Sequence, residues 1–220
     1  MNTKLQLALD DISMEDALAL LERVHAFIDI AEIGTPFMMK YGAESVRTIR
    51  SRYPGMEILL DAKIMDAGAY EAKIGFDAGA DMVTVLAVTD DRTVEEVVRA
   101  AHSIGKKAVA DMICVQDLKK RVERLEELGV DIIAVHTGVD QQAMGRTPLG
   151  DLREISRYVT KAETAVAGGI TPQTAEDYLG YKPAILIVGS GIIHAQDPES
   201  AVKELKEIIL RRQEHGRGTE

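Results

Sequence analysis

A single cysteine, Cys114, stands among 220 residues, so no disulfide can close within the chain and a reducing compartment, the cytoplasm, is the expected setting. Tryptophan is absent and aromatics make up only 4%, which leaves Ile, Leu, Val, Ala and Met to build a core. Positive charge is scarce as well. The formal net charge of −10 excludes broad nucleic-acid binding, which needs a cationic face to displace counterions from phosphates. It leaves room for a phosphorylated metabolite, because a few backbone N–H groups can hold one phosphate. No run approaches the ~18 apolar residues of a membrane span. Asp10 and Asp11 interrupt the N-terminal MNTKLQLALDD before it could serve as a signal-peptide core. Neither nucleic acid nor a membrane is an expected partner.

What the chain does have is alternation. Short β-rich runs occur at LQLALD (5–10), FIDIAEIG (27–34), MEILLDAK (56–63), DMVTVLAV (81–88), KAVADMI (107–113), VDIIAVHTG (130–138), ETAVAGGI (163–170) and AILIVGSG (184–191). Between them lie segments of helical spacing such as SMEDALALLERV (13–24), which Ser13 would cap, and DLKKRVERLEELG (117–129), which Gly129 would end. Strict strand–helix alternation predicts a parallel sheet with crossover helices. An open doubly wound sheet usually needs fewer strands, so eight units without a leftover domain predict a single (β/α)8 TIM barrel over residues 1–210. The polar RRQEHGRGTE (211–220) is expected to fray.

In such a barrel the C-terminal strand ends carry the chemistry. Here they hold Asp10, Glu32, Asp61 with Lys63, Asp111 and His136. The two-residue strand period puts Glu32 on the face of Ile28 and Ile30, and His136 on the face of Ile132 and Ala134. It likewise puts Asp61 and Lys63 on the face of Leu59. A lysine at a barrel mouth needs a partner, and Asp61 and Asp66 are near enough in sequence to provide one. Glu32 and Asp61 could hold a hard cation such as Mg²⁺, with positions left for water and substrate; an ordinary salt-bridge network is the alternative. Oxygen ligands accept Mn²⁺ equally. The last two strands end in Ala167-Gly168-Gly169 and Gly189-Ser190-Gly191, where small residues let backbone N–H groups approach a phosphate. Tight turns need glycine too. Cys114 reads as packing rather than nucleophile.

The segment DAKIMDAG (61–68) resembles the Asp-x-Lys-x-x-Asp motif of the orotidine-5′-phosphate decarboxylase superfamily. Residues 4–205 resemble its 3-hexulose-6-phosphate synthase / 3-keto-L-gulonate-6-phosphate decarboxylase family throughout, through LQLALD, AEIGTPF, AGADMVTVL, VHTGVDQQA, AVAGGI and VGSGI. The decarboxylases carry His-Arg-Ser-Arg-Asp where this chain has His136-Thr137-Gly138-Val139-Asp140, and Glu where it has Asp111. Both departures favour the synthase branch. The resemblance implies a ribulose-phosphate-binding barrel and a reversible aldol reaction joining formaldehyde to D-ribulose 5-phosphate. Glu32 and Asp61 would hold the metal, His136 would take the C1 proton, and a protonated Lys63 would stand beside the developing oxyanion without forming a Schiff base. Asp10 and Asp111 would complete the site. Asp66 would reach into a second subunit, making a homodimer with shared active sites. Rival readings are the decarboxylase itself, a pentulose-phosphate 3-epimerase whose metal-binding histidine pair this chain lacks, and a non-catalytic sugar-phosphate sensor.

Overall fold

A computed structural model describes residues 2–217, with side chains up to 214. The first half of the chain runs β1 (Lys4–Leu9), α1 (Met14–Val24), β2 (Ile30–Ile33), α2 (Thr35–Tyr41), α3 (Glu44–Arg52), β3 (Glu57–Ile64), α4 (Gly68–Ala78), β4 (Met82–Leu86) and α5 (Asp91–His102). Then come β5 (Lys107–Asp111), α6 (Leu118–Glu127), β6 (Ile132–His136), α7 (Val139–Ala143), α8 (Leu149–Ile155) and β7 (Glu163–Ala167). The chain ends with α9 (Ala175–Leu179), β8 (Ile185–Val188), α10 (Ser190–Ile193) and α11 (Pro198–Arg217). The eight strands pair in parallel and in sequence order, and β8 closes on β1, so the structure is the (β/α)8 barrel that alternation predicts. Ser13 caps α1 by accepting from the Asp16 N–H at 3.1 Å, and Gly129 takes φ 84° just beyond α6. Among the described residues no helix is long and apolar enough to cross a membrane.

Strand parity sorts the side chains into two cores. Leu5, Leu7, Leu9, Ile33, Ile58 and Val83 face outward and are buried under the helices. Ile30, Leu59, Met82, Val109, Ile132 and Ile187 face inward and fill the barrel. Below them the first inward residues of the odd strands carry charge: Lys4 pairs with Glu57 at 2.7 Å and Lys107 with Glu163 at 3.2 Å. A repeated device fixes this lower rim. The aspartate just before β2, β4 and β6 (Asp29, Asp81, Asp131) accepts from the N–H of Leu5, Ile58 and Ala108 on the preceding strand. Each also meets a basic side chain: Lys206 for Asp29, Arg50 and Lys106 for Asp81, His102 for Asp131. Burial works against the charge of Asp81, but these bonds hold its carboxyl below the ordinary range.

Two differences from the sequence reading appear. Helix α11 continues to Arg217, through most of the segment expected to fray, and Gln213 Nε2 donates to the Thr3 carbonyl at 3.2 Å. Positions 218–220 of that segment lie outside the described residues. The second difference is in β3, where Leu60 faces Val83 but Ile64 faces Val85, so that two extra residues bulge between them.

Candidate active site

The upper ends of β1, β2 and β3 bring three carboxylates together. Glu32 on β2 is buried, and its Oε2 accepts from Gln6 Nε2 at 2.6 Å. Burial, and then the charges of Asp61 and Asp10, push its carboxyl well above the usual range. Burial and Asp61 also raise Asp10. Room for Asp10 comes from two glycines: a Cβ at Gly34 would collide with its Oδ1, and one at Gly189 would lie 3.2 Å from its Oδ2. The end of β8 therefore adjoins the acidic side of the mouth.

Lys63 joins this side to the next. The β3 bulge places it at φ 46°, a left-handed conformation unusual for a residue with a side chain. Its Nζ donates to Asp61 Oδ2 at 2.7 Å and to Asp111 Oδ2 at 2.9 Å. Burial favours loss of its proton, but Asp61 and Asp111 outweigh burial and keep the amine charged above its ordinary range. The expected partnership with Asp61 forms, but that with Asp66 does not. Asp66 lies two residues past the bulge and is exposed, while Asp111 on β5 takes the second place.

Asp111 also meets His136 on β6, its Oδ2 lying 2.9 Å from Nδ1, and its Oδ1 accepts from the Ile113 N–H at 2.9 Å. Burial alone would raise this carboxyl; His136 and Lys63 hold it down at about 2. An ionised Asp111 fixes the proton of a neutral His136 on Nδ1 and leaves Nε2 as the acceptor. Asp61, Lys63, Asp111 and His136 thus form one hydrogen-bonded row across β3, β5 and β6.

Three contributors escaped the sequence reading. Thr84 Oγ1 donates to Asp61 Oδ1 at 2.8 Å, and Thr35 Oγ1 contacts Asp61 Oδ2 at 2.9 Å and its carbonyl oxygen at 2.8 Å. Gln6 is fully buried beneath Glu32, and its Oε1 lacks a hydrogen-bond partner among the described residues. Inward parity on β1 and β4 marks Gln6 and Thr84 as polar residues where apolar ones belong; nothing in the local sequence marks Thr35.

The ends of β7 and β8 are made of small residues. After Ala167, Gly168 and Gly169 take φ 122° and 66°, and a Cβ at Gly168 would come within 2.6 Å of the Thr137 carbonyl oxygen. After β8, Gly189 precedes Ser190, which opens the single-turn α10. Thr171 and Pro172 lie in a turn and not in a helix start, since α9 begins at Ala175. Cys114 is exposed at the rim, with Sγ 4.0 Å from Gln141 Nε2.

These residues suit a divalent cation at Glu32 and Asp61. Crowded carboxylates raise Glu32, and the orphaned Gln6 oxygen adds to the negative potential beneath it. Two carboxylates alone would leave such an ion places for other ligands; among the described residues no group of three or more His, Cys, Asp or Glu side chains is arranged to hold a metal.

Known proteins share this architecture and sequence. A chain from Staphylococcus saprophyticus named 3-hexulose-6-phosphate synthase 2 is 44% identical over 206 residues, which cover 94% of this chain and 97% of that one. The crystal structure of 3-hexulose-6-phosphate synthase from Salmonella typhimurium is 48% identical with a TM-score of 0.94, over 96% of this chain and all (100%) of that one. That of 3-keto-L-gulonate-6-phosphate decarboxylase from Vibrio cholerae is 26% identical with a TM-score of 0.84, over 96% and 99%. The profile of the orotidine 5′-phosphate decarboxylase / HUMPS family matches residues 3–205, the span that contains every strand and every site residue described above. With its barrel, its mouth and its sequence in agreement, the chain belongs to the orotidine 5′-phosphate decarboxylase / HUMPS family.

Proposed function

We propose that this chain is a 3-hexulose-6-phosphate synthase, an aldolase that reversibly joins formaldehyde to D-ribulose 5-phosphate to give D-arabino-3-hexulose 6-phosphate. The observation that carries the reading is the row Asp61–Lys63–Asp111–His136, set in a chain 44–48% identical to proteins of that name. Asp111 keeps the His136 proton on Nδ1, so Nε2 is the group that takes the C1 proton of the pentulose and can return it. Held charged between two carboxylates, Lys63 is a poor Schiff-base nucleophile; it meets the negative charge that develops as C1 is deprotonated. Glu32 and Asp61 would hold a divalent cation, Mg²⁺ or Mn²⁺, which when bound would supply Lewis-acid stabilisation of that charge. The phosphate is met by the backbone at Ala167, Gly168 and Gly169 and at Gly189 and Ser190, where Gly189 adjoins Asp10.

Asp66 belongs to a neighbouring site in this reading. It is exposed, as are the large apolar side chains of Met65, Tyr70 and Ile74 on the segment that follows β3 and of Met39 on α2. Exposed apolar side chains of this size suit a second copy of the chain, and a homodimer with shared sites is the reading they support. The exposed Cys114 suits a reducing cytoplasm.

The test is consumption of formaldehyde by the purified protein in the presence of ribulose 5-phosphate, with and without EDTA. Metal-dependent consumption is the expected result. Release of CO2 from 3-keto-L-gulonate 6-phosphate at a higher kcat/KM, with no formaldehyde consumed, would transfer the chain to the decarboxylases. Binding of ribulose 5-phosphate without turnover under any metal would make it a sensor.

A further inference from the structure

We propose that Thr84 is a positioning residue whose single hydroxyl holds both the Lys63 backbone and the Asp61 carboxylate. The role rests on the catalytic reading of that pair, and its physical basis is independent of which reaction the pair serves. Thr84 lies on the inward face of β4 and is buried. The Lys63 N–H donates to Thr84 Oγ1 at 2.9 Å, and Thr84 Oγ1 lies 2.8 Å from Asp61 Oδ1. A hydroxyl has one proton. Since it accepts from Lys63, its proton goes to Asp61, and the direction of both bonds is set.

The bulge explains why such a device is needed. Between Leu60 and Ile64 the strand ladder with β4 lapses, and Lys63 stands at φ 46° within the gap. Left-handed backbone disfavours a side-chain-bearing residue and persists only where its surroundings fix it. The Thr84 hydroxyl replaces the missing ladder acceptor. By the same contact it sets the carboxylate that receives Lys63 Nζ at 2.7 Å, which closes a ring from the Lys63 amide through Thr84 and Asp61 to the Lys63 amine.

Thr84→Val keeps the shape and removes the hydroxyl; Thr84→Ser keeps the hydroxyl and removes the methyl. Both are compared with the full-length wild type by exchange of the Lys63 amide hydrogen, thermal midpoint, and kcat and KM for formaldehyde and ribulose 5-phosphate. In Thr84→Val the amide should exchange about tenfold faster, and kcat should fall about 10- to 100-fold with a smaller change in KM. Thr84→Ser should recover most of both. If Val retains turnover and amide protection, or if Ser does worse than Val, the residue acts through packing and the proposal is overturned. If the wild type turns over no substrate, the aldolase reading fails. Amide protection then decides: loss in Val with retention in Ser upholds the clamp, and any other pattern overturns it.

Discussion

Lys63 occupies a backbone conformation that glycine would adopt more easily, yet glycine would remove the only amine in the row. The site therefore tolerates strain of about 1–2 kcal/mol to keep a cation between Asp61 and Asp111. Lys63→Ala should lower kcat/KM by about 10²- to 10³-fold, the usual scale for losing one preorganised charge, while the thermal midpoint falls little. Near-normal turnover would remove Lys63 from the mechanism. His136→Ala should slow exchange of the C1 proton of ribulose 5-phosphate with solvent by about 10²-fold or more. In that variant Asp111 loses the His136 bond and charge that lower it most, so unimpaired exchange would make Asp111 the first candidate base. The two-residue period puts Glu32, Asp61 and His136 on the inward face, where the structure has them. It could not foresee the bulge, because a register shift depends on how β3 meets β4, two segments about 20 residues apart. For the same reason the Lys63–Asp111 pair was illegible, and the sequence neighbour Asp66 took its place in the expectation.

At the scale of elements, the strands were readable from apolar runs and the helices from their spacing and charged faces. The seams between them were not. Glu126 in the last turn of α6 is an example: its Oε1 accepts from the N–H groups of Thr160 and Lys161, each at 2.7 Å, and of Ala162 at 3.1 Å. Its Oε2 accepts from Thr160 Oγ1 at 2.7 Å, and the carboxylate thereby anchors the loop that leads into β7. Burial is outweighed by these donors, which hold the carboxyl at about 2 against an ordinary 4.5. A depressed native pKa means that the charged form stabilises the fold above about 4.5, and that this stability is lost as pH falls toward about 2. Glu126→Gln should cost about 1 kcal/mol at pH 7. Its deficit should narrow at pH 3, and urea midpoints at the two values check this. A deficit that does not change with pH would mean that charge is not the source. The lower-rim aspartates Asp29, Asp81 and Asp131 are a similar case. Each looks like an ordinary loop residue until the closed sheet places a neighbouring strand's N–H against it.

For the whole molecule, the barrel was legible because strand number and alternation admit few other closures. The proposed sharing of sites between subunits can be tested by complementation. Lys63→Ala and Asp66→Ala homodimers should each be nearly inactive. After unfolding and refolding together, hybrid dimers would combine one subunit's intact Lys63 with the other's intact Asp66. Half the dimers would then be hybrid with one good site each, giving about a quarter of wild-type activity. A mixture no more active than its parts would show that each barrel works alone. Tyr70→Glu, at one of the exposed apolar side chains, should shift the sedimentation coefficient toward that of a monomer.

Among the described residues, the charged floor and the packed column above it leave the barrel with no back door. Whatever reacts at the upper rim enters and leaves by the same opening. For an enzyme that joins a large molecule to a very small one, this imposes a traffic rule. In the proposed reaction, a pentulose phosphate and its one-carbon partner would share that opening, and the six-carbon product would have to clear it before the next cycle begins. Initial-rate kinetics would test whether the shared opening imposes an order of binding on the two substrates.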